Sequence, residues 1–154
     1  MAARSAGILL YRGRSEAPEV LLVHPGGPMW ARRDLGVWSI PKGEYEPDED
    51  PLTVARREFE EEIGRPPPDG RVEDLGEIRQ RAGKRVRAWA IRGDVDVSEV
   101  TSNTCEIEWP PRSGKKLEIP EIDRAEWFGV EAAREKIVPA QAALIDELLE
   151  RLSA

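Results

Sequence analysis

A chain of 154 residues is long enough for one domain with a buried core. Its formal net charge of −7 argues against a general nucleic-acid binder, which needs a basic footprint, and no apolar run approaches the roughly 18 residues of a membrane span. No charged-then-apolar leader occupies Met1 to Leu10, and the lone Cys105 has no partner for an internal disulfide, so the expectation is a single domain over residues 1–154 in the reducing cytoplasm.

Taken in chain order, Ala6 to Tyr11 and Val20 to His24 read as short apolar strands joined by a polar turn, and Val37 to Ile40 as another before Pro41-Lys42-Gly43. A helix is expected from Pro51 to Ile63. Asp48, Glu49 and Asp50 supply an acidic N-cap zone, Pro51 suits the first turn, and Gly64 followed by Arg65 and three prolines ends it. Glu73 to Gln80 and Val86 to Arg92 then alternate as strands around a turn at Ala82 to Lys84. Thr101 to Trp109 is expected to pair with the sheet, Pro110 to Leu117 to form a loop, and Ala125 to Phe128 to make a last short strand. Helices over Val130 to Lys136 and Ala140 to Leu152 close the chain, the second with an apolar stripe through Leu144, Leu148 and Leu152. This is the organisation of a mixed α/β domain.

The first of these helices carries the chemistry. Leu52, Ala55, Phe59 and Ile63 recur at helical spacing and face a core, which leaves Glu58, Glu61 and Glu62 together on the neighbouring face. Like charges at that spacing cost a helix about 0.2–0.5 kcal/mol per pair. A divalent cation reverses the sign of that effect, and hard cations such as Mg²⁺ take oxygen ligands. The plainer reading of such a run is the solvated face of a surface helix.

A longer register decides between the two. Gly43, Glu49, Arg57, Glu58, Glu61, Glu62 and Gly64 fall at fixed offsets in GEYEPDEDPLTVARREFEEEIG, a coincidence expected by chance less than about once in ten million starting points. This stretch resembles the Nudix box, departing from it only at Arg65, where an apolar residue is usual. The resemblance extends more weakly from about Ser5 to Leu152 and implies the Nudix fold, a mixed β-sheet sandwiched between helices. It implies that Glu58, Glu61 and Glu62 are metal ligands, with the backbone carbonyl of Lys42 close by. Arg57 is then the residue that orients a glutamate by an ion pair, and Gly43, Glu49 and Gly64 support the box. In several members an acid six residues before a Trp comes round to the metal, which makes Glu121, before Trp127, the candidate additional ligand or general base. Glu118 and Glu108 are its rivals.

The implied activity is hydrolysis of a phosphoanhydride with Mg²⁺ or Mn²⁺, Glu61, Glu62, Arg57 and Glu121 forming the catalytic set, without a covalent enzyme intermediate. Ser39 reads as a strand residue and His24 as structural. The runs WSIPKGEYEPDED and EWFGVEAAREKI look like dinucleoside polyphosphate hydrolases of the asymmetric diadenosine tetraphosphate kind. Alternatives are a nucleoside triphosphate or inositol pyrophosphate hydrolase and a non-catalytic nucleotide sensor. A capped-RNA enzyme would be expected to show a more basic surface. Lys42, Lys84 and Arg87 are candidate phosphate contacts, and Trp38 and Tyr45, with Trp30 and Trp89, candidate stacking faces. Arg79, Arg81 and Arg85 share the basic segment of Lys84 and Arg87, while Arg112, Lys115 and Lys116 form a second one. The loop from Pro25 to Gly36 is expected to edge the pocket. The partner expected is a small phosphorylated molecule, with no general nucleic-acid or membrane binding, and a homodimer is left open.

Overall fold

In a computed structural model describing residues 3–98 and 100–153, the strand β1 (Arg4–Arg14) forms the axis of the main sheet. It runs parallel to β5 (Arg85–Arg92), from Arg4 opposite Arg85 to Tyr11 opposite Arg92. On its other side it pairs antiparallel with β2 (Ala17–Pro25) near Tyr11 and with the three-residue β3 (Lys42–Glu44) near Ala6. With β4 (Val72–Arg79) outside β5 and β8 (Ile122–Gly129) outside β2, the order is β4-β5-β1-β2-β8. Met1, Ala2, Glu99 and Ala154, which the expected domain includes, lie outside the described residues.

Both faces of this sheet are covered, which is why β1 and β2 read as continuous apolar runs instead of alternating ones. Ala6, Ile8, Leu10, Leu21 and Val23 pack with Ala55, Phe59 and Ile63 of the helix α1 (Pro51–Ile63). On the opposite face Leu9, Tyr11, Val20 and Leu22 meet Ala133 of α2 (Val130–Lys136) and Leu144, Ile145 and Leu148 of α3 (Ala142–Ser153). A 3₁₀ turn at Pro139–Gln141 delays α3 by two residues from its expected start. No helix among the described residues is long and apolar enough to cross a membrane.

The boundaries of α1 follow from its caps. The Asp50 carboxylate accepts hydrogen bonds from the Thr53 N–H at 3.1 Å and the Thr53 hydroxyl at 2.7 Å, and these partners hold its carboxyl below the ordinary range. At the far end Gly64 takes the left-handed conformation, φ 91°, that an L side chain rarely adopts. Asp50→Ala is expected to lower Tm by about 2–4 °C, read by calorimetry at neutral pH, the scale of one lost N-cap in a domain of this size. An unchanged Tm would show that Pro51 alone sets the start.

Two expected elements differ. Val37 to Ile40 makes only single bridges, Ser39 with Val23 and Trp38 with Ile137, because its backbone is shared between β2 on one side and the end of α2 on the other. The strand comes after Pro41, as β3. The segment Thr101 to Trp109 does not join the main sheet. Its second half, β6 (Thr104–Glu108), pairs with β7 (Lys116–Pro120) in a separate two-stranded sheet, so the expected loop is shorter than Pro110 to Leu117. Its first half is spent on α1: the N–H groups of Thr101 and Asn103 donate to the carbonyls of Ile63 and Glu61, which the helix end leaves without intrahelical partners.

Candidate active site

The acidic face of α1 is turned further inward than helical spacing alone suggests. Glu62 is only 6% exposed, and its Oε2 accepts the Lys42 N–H at 2.8 Å, so β3 and the helix are joined at this carboxylate. Burial drives the Glu62 carboxyl well above the ordinary range, the Lys42 N–H and ammonium oppose it, and the charges of Glu58 and Glu121 push it further. Glu58 is raised by the same causes, burial first and then Glu61, with Arg57 opposing and Glu121 adding to it.

Gly43 is required by close approach. A Cβ there would fall inside the Glu58 carboxyl group, within 2.5 Å of its Cγ. Lys42, half-buried beside it, has its ammonium pKa lowered by burial, against the pull of Glu62 and with a further push from Lys84. Behind it, the fully buried Gln141 accepts the Ile40 N–H at 3.1 Å and donates to the Gln80 side chain at 2.9 Å, fixing the chain that leads into Lys42. Nothing in the sequence marks Gln141, because its partners lie on other elements.

Glu121 reaches the cluster through backbone bonds. Its N–H donates to the Asn103 carbonyl at 2.9 Å, and the Asn103 N–H donates to the Glu61 carbonyl at 3.1 Å, so the acid hangs from the last turn of the helix that carries the other three. Its own carbonyl accepts the Gly26 N–H at 2.9 Å, where a Cβ would strike the Pro120 carbonyl. Glu118 and Glu108 stand instead on the β6–β7 hairpin, and Glu108 holds the Arg112 N–H at 2.7 Å.

Arg57 lies on the outer side of α1, 3.4 Å from Glu49, whose other oxygen accepts the Glu46 N–H at 2.9 Å. That pair ties the loop before the helix to its middle. Among the described residues no three His, Cys, Asp or Glu side chains converge closely enough to hold an ion as they stand. The donors nevertheless suit a hard divalent cation: all are oxygens, and burial raises both Glu58 and Glu62, with Glu61 and Glu121 adding to the first and Glu58 and Glu121 to the second, the repulsion such an ion relieves.

The NUDIX domain family matches this chain over residues 1–148. The chain belongs to the Nudix family. It is 29% identical to an RNA pyrophosphohydrolase of Rhizobium meliloti (strain 1021) over 159 aligned positions, 87% of this chain and 90% of that protein. Its fold is similar to that of the C. elegans Ap4A hydrolase in a binary complex, with a TM-score of 0.67 and 21% identity over 99% of this chain and 98% of that one. The NUDIX domain of Shewanella oneidensis NrtR, complexed with ADP ribose, is as similar in fold, with a TM-score of 0.67 and 16% identity over 99% and 89% of the two chains. The protein is thus a Nudix hydrolase with a mixed sheet between helices, and the family uses divalent metals.

Some residues expected at the Nudix substrate site are placed elsewhere. Trp38 is 1% exposed, donates its indole N–H to Asp34 at 3.0 Å and lies edge-on to His24 and Phe128, so it has no face open to a ligand. Its apolar bulk belongs to the core on the α3 side. Trp89 is buried under the Arg87 guanidinium, and Arg87 itself pairs with Asp74 at 2.9 Å in a solvent-exposed ion pair. Arg85 is similarly paired with Glu77 at 3.1 Å. Tyr45 is half-buried against the α1 side of the core, while Lys84 remains exposed and close enough to act on Lys42. His24 is fully buried between the Asp123 carboxylate at 2.8 Å and the Arg33 carbonyl at 2.7 Å, tethering the loop that follows β2.

Proposed function

We propose that this Nudix hydrolase cleaves a phosphoanhydride in a nucleoside diphosphate-linked substrate, with dinucleoside polyphosphates such as diadenosine tetraphosphate as the preferred class, and that residues 1–154 act as a single domain. The observation that carries the reading is the joining of Glu58, Glu61, Glu62 and Glu121 around β3 and the end of α1. Mg²⁺ or Mn²⁺, when bound, supplies neutralising charge to the phosphates and a more acidic water. Glu58, Glu61 and Glu62 with the Lys42 carbonyl would hold that ion, and Glu121 would accept the proton of the water that attacks phosphorus as the phosphoanhydride oxygen leaves. Lys42 and Lys84 face the phosphates, and Arg57 with Glu49 keeps the loop in place. The lean to dinucleoside polyphosphates rests on the Pro41-Lys42-Gly43 entry and the segment around Trp127, and the likeness to an Ap4A hydrolase agrees with it. A cytoplasmic location, with the free Cys105 reduced, belongs to the same reading.

A second reading is favoured by the 29% identity to an RNA pyrophosphohydrolase: the 5′-polyphosphate end of an RNA as substrate. One experiment separates them. The protein and its Glu61→Gln and Glu121→Gln variants are incubated with Mg²⁺ or Mn²⁺ and a panel of diadenosine polyphosphates, nucleoside triphosphates, ADP-ribose, diphosphoinositol phosphates and 5′-triphosphorylated RNA, and the products are separated by chromatography. Diadenosine tetraphosphate is expected to be cleaved with the highest kcat/KM, Glu61→Gln to abolish cleavage, and Glu121→Gln to lower kcat more than it raises KM. Preference for the RNA would favour the second reading, and binding without cleavage would make the protein a sensor.

A further inference from the structure

Between the loop after β2 and the β6–β7 hairpin lies a cavity of about 360 Å³ whose walls are mostly apolar: Gly27, Met29, Trp30, Ile107, Trp109 and Ile119. Cavities of this volume and composition suit small planar ligands. Met29 is 54% exposed, an apolar cost that an occupant would remove. The wall is closely fitted as well, since Gly27 has φ 93° and a Cβ on it would meet Ile119 Cδ1 at 2.6 Å.

The cavity wall is tied to the carboxylate cluster through the backbone. Gly26, which also lines the cavity, donates its N–H to the Glu121 carbonyl, and Ile119 of β7 is two residues before Glu121, which follows the end of that strand. Its rim is charged in a way that selects the occupant. Arg112, whose N–H is fixed by Glu108, borders the cavity, and Lys115 and Lys116 follow on the same hairpin. Aromatic walls beside Arg112, tied to the acidic cluster by way of Gly26, fit an aromatic ring joined to phosphate; an inositol polyphosphate has no aromatic ring to stack, and a lipid no reason to approach the acidic cluster.

We propose that this cavity is the base subsite: the nucleobase of the substrate lies against Trp30 and Trp109, Arg112 meets its phosphates, and the chain of phosphates leads past Gly26 to Glu121. This rests on the nucleotide-hydrolase reading and adds to it the residues that distinguish a nucleotide from other diphosphates. Stacking on an indole is worth about 5- to 150-fold in affinity per base, and it requires no base-specific hydrogen bond.

The test is calorimetric titration of AMP, GMP, UMP and ribose 5-phosphate, with EDTA present, into the full chain and its Trp109→Ala and Met29→Asp variants. At least one nucleotide is expected to bind at least 10-fold more tightly than ribose 5-phosphate, and both variants to lose most of that margin. Met29 is exposed, so its variant keeps the test sound if Trp109→Ala disturbs the hairpin. A nucleotide that binds no better than ribose 5-phosphate, or variants that retain the margin, overturns the proposal. Hydrolysis of the substrate panel is measured on the same proteins: absent hydrolysis with nucleotide binding intact would refute the hydrolase and leave the subsite standing, and unaltered binding with active hydrolysis would do the reverse.

Discussion

Glu62→Gln is expected to lower metal-dependent turnover at least about 100-fold, beyond the roughly 10- to 100-fold that losing an outer partner of a metal costs, since it removes a carboxylate proposed to hold the ion itself, while leaving the fold as stable as before or more so in EDTA. The substitution keeps the shape of the side chain, and the amide oxygen can still accept the Lys42 N–H that Glu62 accepts at 2.8 Å. What it removes is a charge in a site only 6% exposed, beside Glu58 and Glu121. The pH dependence has a definite sign. A carboxyl raised above its ordinary value of 4.5 favours the folded state while protonated, so its contribution is complete below that value and is lost as pH rises through the elevated one. Asp50, Asp74 and Asp96, held low by their hydrogen bonds, give the opposite slope. The informative quantity is therefore the difference between the two proteins: urea unfolding in EDTA from pH 4 upward should show wild type losing stability relative to Glu62→Gln as pH rises. A constant difference across that range would mean that the buried charge is not disfavoured, and wild-type turnover in the variant would remove Glu62 from the site.

What could be read in advance follows the range of the interactions involved. The limits of α1 were legible because Asp50, Pro51 and Gly64 act on their own neighbours. Its core face was legible because Ala55, Phe59 and Ile63 repeat at helical spacing, and the register from Gly43 to Gly64 carried the family. The same spacing placed Glu62 beside Glu58 and Glu61 on the face neighbouring the core, but did not show that β3 closes over it and buries it; β3 is three residues long and too short to show a period. Trp38 illustrates the converse. An aromatic residue near a motif offers a stacking face to a reader of sequence, but its exposure depends on Phe128 and His24, brought there by the pairing of β2 with β8. Glu121 was singled out by its offset from Trp127, yet the means of its placement was not visible. Asn103 acts through its backbone, joining Glu61 to Glu121 with an N–H and a carbonyl that every residue except proline possesses.

Gly43→Ala should abolish most activity for a reason separable from backbone conformation. Gly43 is not among the glycines with positive φ, so alanine is conformationally acceptable there. The obstacle is Glu58, whose carboxyl group occupies the space of the new Cβ. Either Glu58 rotates out of the cluster or β3 is pushed back against β1, where Gly43 pairs with Ala6 and Lys42 with Gly7. Yielding on the β1 side is obstructed, because a Cβ on Gly7 would already meet the Pro41 carbonyl at 2.6 Å, which leaves no slack in this part of the sheet. Overpacking of this kind costs about 1–3 kcal/mol, and a catalytic group displaced by about 1 Å costs about 100-fold in rate. The expected result is therefore a less stable protein with at least that loss in kcat. Shortening Glu58 supplies the control. In Gly43→Ala/Glu58→Ala the clash disappears, so the double variant should unfold at a higher urea concentration than Gly43→Ala alone while remaining inactive, a coupling of about 1 kcal/mol or more between adjacent sites. If the two losses of stability simply added, the glycine would be required by something other than the glutamate it faces, and the close approach of β3 to the acidic helix would not be what holds Glu58 in place.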